Sequence, residues 1–148
     1  MKTKHSIKIS LAIIGIFWAG AAFLAVFAPY FFKNIYPEMY DRPSFVPVFL
    51  TVCIYIAMPV GAATLVSLTA ILKNIEKEIV FERKNVAYMS NISICCFLAA
   101  AESMVVGAIH YSVFIFGLIA FLGGIIIRVI MNVFEKAIEL KEENDMTI

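Results

Sequence analysis

Three long uncharged stretches organise the chain. Residues 9–32, 43–72 and 85–127 contain no Lys, Arg, Asp or Glu except Glu102. Their lengths of 24, 30 and 43 residues compare with the roughly 20 that carry a helix across a bilayer. The third stretch is long enough for two crossings, with a break at His110-Tyr111. The pattern predicts four spans at about residues 9–30, 46–71, 86–109 and 112–133. The expected fold is all-α, an integral membrane four-helix bundle that forms one domain over residues 1–148.

Composition supports lipid as the medium. Hydrophobic residues make up 62% of the chain and charged residues 16%, against about 45–50% and 25% in soluble domains. The segments between spans are too short for a separate soluble domain. A net charge of +1 without a basic stripe argues against direct nucleic-acid binding. Cys53, Cys95 and Cys96 all fall in spans and form no CxxC, so neither a disulfide framework nor a metal site is expected, and no cofactor. Lys2, Lys4 and Lys8 precede the first stretch as in a signal peptide. That stretch exceeds the roughly 7–15 residues of a secretory core, and Pro29 follows Ala28, the candidate cleavage point, so a retained helix is expected.

The charges also set an orientation. Three Lys lie in residues 1–8, four Lys or Arg in 73–85 and three from Arg128 onward, against two in the loop 33–45. Placing the larger number inside puts both termini in the cytoplasm, N-in and C-in, with the spans in the cell membrane. Phe134, Ile138 and the stem of Lys141 share one stripe, so the last helix is expected to extend into the cytoplasm. Tyr36 and Tyr40 in the outer loop, with Tyr30 and Tyr111 at span ends, suit headgroup depth as an interfacial belt; a ligand lid is the competing reading.

Glu102 is the most informative polar residue, because a charged carboxylate in hydrocarbon is costly and must face the bundle interior or be neutral. Asn91 and Cys95 fall near its helix face, with Ser103 adjacent. Glu102, Asn91 and Ser103 form a candidate intramembrane site: a proton or cation relay, a ligand contact, or a hydrogen-bonded carboxyl that holds helices together. Arg128 lies about 12 Å deeper than Glu102 across the turn, too far for a direct pair, and is expected to snorkel. His110 sits at the outer interface, as a pH sensor or simply an interfacial residue. No HExxH, GxSxG or phosphate-cradling glycine loop is present, and an enzyme is not expected. Small residues at Gly15 and Ala19, Ala21 and Ala25, 61–63, 99–101 and 123–124 allow close helix approach within the chain or in a homo-oligomer. Pro59 frees the Tyr55 carbonyl, with Thr64 or Ser67 as local compensation, and makes either a hinge or a bend.

Residues 137–148 end in Glu-Leu-Lys-Glu-Glu-Asn-Asp-Met-Thr-Ile, which resembles the terminal "ELkeENDLTI" of a bacterial family known as domain of unknown function 2975. Residues 79–86, Ile-Val-Phe-Glu-Arg-Lys-Asn-Val, look like that family's "PFxxxNV" entry into its third helix. Val80 replaces the usual proline, and Ala87-Tyr88-Met89 lacks the Leu-Arg that commonly follows. The resemblance implies four spans and, because such genes often neighbour a small Xre-type helix-turn-helix regulator, a membrane regulatory or signalling partner of a DNA-binding protein. Phe81, Glu82, Asn85, Asn144, Asp145, Met146, Thr147 and Ile148 are then the candidate cytoplasmic interaction site. The chain from Arg128 onward has three basic and five acidic residues, a net −2 suited to a basic partner. Against this stands a purely structural reading in which Asn144 and Asp145 cap the last helix and Met146 and Ile148 dock on Phe81. Two other functions fit a chain of this size: immunity against membrane-active peptides or envelope stress, and transport or proton handling through Glu102, as in a small transporter.

The orientation is directly testable. Green fluorescent protein fused after residue 148 should fluoresce, and alkaline phosphatase fused after residue 40 should be active. The reverse pattern would invert the topology.

Overall fold

A computed structural model describes residues 2–36, 43 and 45–146, with residues 2–4 and 145 described by backbone alone. Among the described residues four α-helices follow in chain order: α1 (Lys2–Tyr30), α2 (Phe45–Glu76), α3 (Arg83–Gly107) and α4 (Tyr111–Asp145). All four are long and apolar enough to cross a membrane. In hydrocarbon the backbone must satisfy its own donors and acceptors, and a continuous helix does this within one segment. The helices reach or extend past the edges of the predicted spans except at the end of α3, which stops at Gly107, two residues short; the extension is greatest at the end of α4, where the ladder continues through the charged residues to Asp145.

Each helix packs chiefly on its neighbours in sequence. The α3–α4 pair shares the most extensive contact, α2 packs on α3, and α1 meets α2. Close approach of α3 and α4 depends on glycine. A Cβ at Gly124 would lie 2.9 Å from Phe97 Cε1, and one at Gly117 would lie 3.1 Å from the Ala100 carbonyl oxygen. Ala100, from the predicted run of alanines, is 1% exposed. Ser93, fully buried, donates to the Gly124 carbonyl at 3.0 Å and ties the two helices together. Gly15, Gly61 and Gly123 carry no close contact within the chain: a Cβ at any of them would meet nothing within 4 Å. Large apolar side chains such as Phe17, Val26, Phe116 and Ile119 are exposed, as lipid-facing residues are.

Prolines interrupt two ladders. Pro29 lies near the end of α1, and the carbonyl it leaves without an N–H is that of Ala25. Tyr55 of α2 supplies the missing donor, its hydroxyl bonding the Ala25 carbonyl at 2.8 Å. After Pro29 the chain widens into a π-helical turn, Phe31–Ile35, in which the Tyr36 N–H donates to the Phe31 carbonyl. The compensation expected near Pro59 is not made: Thr64 donates to the Val60 carbonyl instead, and Ser67 accepts from Asn91.

The α2–α3 connection is built around Asn85. Glu78 adopts a left-handed conformation, φ 63°, and the Glu78 and Ile79 N–H groups bond the Ile75 and Asn74 carbonyls. This closure ordinarily uses glycine, and a side chain there costs roughly 1 kcal/mol. Asn85, 2% exposed, donates to the Ile79 and Val80 carbonyls at 2.9 and 2.8 Å and accepts from Asn74 Nδ2 at 2.7 Å. Its place in the candidate interaction site is therefore corrected: its amide is consumed inside the protein, so it shapes the surface without forming part of it.

Asn85→Ala and Asn85→Asp should each lower stability by about 2 kcal/mol, the first by orphaning buried partners and the second by facing two carbonyls with an acceptor. Thermal unfolding in detergent measures this; an Asn85→Asp variant as stable as wild type would contradict the assignment.

Candidate functional site

The two ends of the molecule differ. At the turn end, where α1 finishes and α3 passes into α4, aromatic and aliphatic side chains line an open-sided cavity of about 460 Å³. Pro29 and the π turn direct Phe31, Phe32 and Tyr36 onto it. Tyr36 is buried with Val46 and Leu50 of α2, and Val106 and Ile109 pack against this cluster. Leu50, Cys53, Ile54 and Ala57 supply the α2 wall, and Glu102, Ser103 and Val106 the α3 wall.

His110 joins this site rather than standing apart. The Ile109 and His110 N–H groups both return to the Val106 carbonyl, at 3.0 and 2.9 Å. This tightening ends α3, and His110 takes an extended conformation, φ −121° and ψ 91°, with its side chain in the cavity lining. There its Nε2 is hydrogen-bonded to the Tyr36 hydroxyl, and the two rings meet edge to face with centroids 5.5 Å apart. The bond links the segment after α1 to the α3–α4 turn, and both residues line the cavity.

The sequence-predicted polar group divides. Glu102 and Ser103 share the cavity, whereas Asn91 donates to Ser67 Oγ at 2.7 Å and joins α3 to α2 elsewhere. Among the described residues, Glu102 Oε1 is the buried side-chain oxygen that lacks a hydrogen-bond partner. Arg128 is exposed and absent from the lining, in keeping with the expected separation. Sequence spacing did not group Tyr36, Cys53 and His110 with Glu102; the signal available was Pro29, whose effect on the following turn determines where Tyr36 falls.

At the opposite end, α4 continues beside the start of α3. Phe81 stacks on Phe134 with centroids 5.6 Å apart, and Arg83 contacts both carboxylate oxygens of Glu142 at 3.3 and 2.8 Å. Both partners of this ion pair are at least half exposed, at 67% and 50%, so it orients the helix end more than it stabilises it. Ile138, 4% exposed, carries the apolar contact expected from its stripe. Met146 is 81% exposed, so the expected docking of Met146 on Phe81 is replaced by the Phe81–Phe134 stack. Phe81, Glu82 and Asn144 are also exposed. Asp145 is the last residue of α4; Tyr40, Thr147 and Ile148 lie outside the described residues.

Together these features define a small multi-pass helical membrane protein with a cavity at one end and a braced, charged helix at the other. The chain belongs to the family described as "Protein of unknown function (DUF2975)", which matches residues 33–148. No curated protein and no solved structure matches it.

Tyr36→Phe and His110→Ala should each lower stability by about 1 kcal/mol, and the double variant by less than their sum, because both remove one shared hydrogen bond. Additive losses in thermal unfolding would show that the two side chains act independently.

Proposed function

We propose that the protein is a non-catalytic regulatory or signalling component of a bacterial inner membrane, with both termini cytoplasmic, whose projecting end holds a soluble partner. The observation that carries this reading is the length of α4. Its 35 residues make a helix about 52 Å long, against roughly 30 Å of hydrocarbon. The excess bears the charges: Glu135, Lys136, Glu139, Lys141, Glu142 and Glu143 all follow the last apolar stretch. The Arg83–Glu142 contacts and the Phe81–Phe134 stack brace this extension against the α2–α3 connection. A braced helix presents its exposed residues in a set arrangement, which lowers the ordering cost of binding.

Phe81, Glu82, Asn144 and Met146 offer exposed apolar, acidic and amide side chains on that end. The excess of acidic over basic residues from Arg128 onward favours a basic partner. An Xre-type helix-turn-helix regulator fits this chemistry and agrees with what the family resemblance implies. Such a protein would be held at the membrane by contact with the projecting end, without this chain touching DNA.

The test is affinity purification in mild detergent from native cells, with the helix-turn-helix regulator quantified by mass spectrometry. Full-length protein should retain it, while a chain ending at Glu143, which keeps the Arg83–Glu142 pair, and the Phe81→Ala variant should lose most of it. Equal recovery from the shortened chain would overturn the assignment of the terminal residues.

A further inference from the structure

The geometry points to the Glu102 cavity as a binding site for a compact apolar ammonium, an amine carried on a small hydrocarbon body. This inference concerns the end of the molecule opposite the proposed partner surface and does not rest on that reading.

The cavity, about 460 Å³, falls within the range of roughly 300–1,000 Å³ typical of small-molecule sites. Its walls are mostly apolar, and its lining contains one carboxyl but no Lys or Arg. An ionised carboxylate is acceptor-only, and in apolar surroundings it is strongly disfavoured unless a cation or donor meets it. Elsewhere in the spans the protein supplies such partners internally. Thr51, Thr64 and Thr69 each bond a carbonyl one turn back, Ser93 bonds Gly124, and Asn91 bonds Ser67. Glu102 Oε1 is buried without one.

The remaining lining selects among possible cations. An inorganic ion bound through oxygen takes about six to eight ligands, whereas here Glu102 and Ser103 lie among hydrocarbon, a thiol and the Tyr36–His110 pair. Among the described residues, no group of three or more His, Cys, Asp or Glu is placed to hold a metal ion. An organic ammonium needs fewer oxygens. It makes a charge-assisted hydrogen bond to one carboxylate, is attracted to aromatic faces such as those of Phe31 and Phe32, and fills the space beside Leu50 and Ile54 with its own hydrocarbon. Charge, aromatic lining and apolar volume therefore converge on one ligand class.

The full-length protein in phosphatidylcholine nanodiscs can be titrated calorimetrically with 1-adamantylamine and with 1-adamantanol, which share a hydrocarbon cage and differ in charge; empty nanodiscs correct for partitioning. The amine should bind saturably and at least about tenfold more tightly than the alcohol, consistent with a charge-assisted contact. Glu102→Gln should reduce amine affinity to the level of the alcohol and leave the alcohol unchanged. Equal binding of both compounds would overturn the proposal in favour of a cavity that takes any neutral body, such as a lipid tail. Absence of saturable amine binding, or unchanged amine affinity in Glu102→Gln, would also overturn it. Should that variant fail to fold, the contrast between amine and alcohol in the wild-type protein still decides.

Discussion

The architecture depends on one constraint: in hydrocarbon, each backbone donor and acceptor must find its partner inside the protein. Continuous helices meet that requirement, and departures from them need a specific remedy. At Pro29 the remedy is the Tyr55 hydroxyl, which reaches from α2 to the freed Ala25 carbonyl. This couples a break in one helix to the position of its neighbour. The π turn that follows shifts the register of the aromatic residues after α1 and brings Tyr36 to His110. The segment after that broken helix end thus supplies Phe31, Phe32 and Tyr36 to the cavity lining.

The same constraint explains the unequal packing of the helices. α3 and α4 approach through Gly117 and Gly124, and the buried Ser93–Gly124 hydrogen bond lies within their contact. Without a hydrophobic force between helices in lipid, such close contact and polar bonding carry association. α1 has a sparser attachment, to α2 and through the aromatic turn at its end. The more tightly joined α3–α4 pair accordingly provides both the wall that holds Glu102 and the support for the extension of α4. Asn85 completes this frame by binding the connection before α3 to itself, which positions Phe81 for its stack on Phe134.

Much of the fold was legible in the order of residues. Charge-free lengths alone identify four crossings, because crossing length is set by the bilayer and not by tertiary contacts. Glu102 was conspicuous for the same reason: a carboxyl in an uncharged run has few acceptable surroundings. The grouping of polar residues was less legible. Projection along an ideal helix placed Asn91 with Glu102 and held His110 apart. In the structure Asn91 finds Ser67 on another helix, and His110, just past the end of α3, lies in the same lining as Glu102. Helical projection holds only while the helix does, and it carries no information about which neighbour a face will meet.

Asn85 shows the corresponding limit on the charged side. Its setting among Glu82, Arg83 and Lys84 suggested an exposed residue, yet three side-chain hydrogen bonds bury it. The sequence by itself determined the medium, the number of crossings and the presence of a carboxyl within one of them, since these follow from hydropathy and length. Tertiary structure decided which polar groups share a site, which small residues carry close contacts, and that Glu102 opens on a cavity. Those outcomes depend on where non-adjacent helices meet and how irregular turns redirect side chains, which are properties of packed geometry.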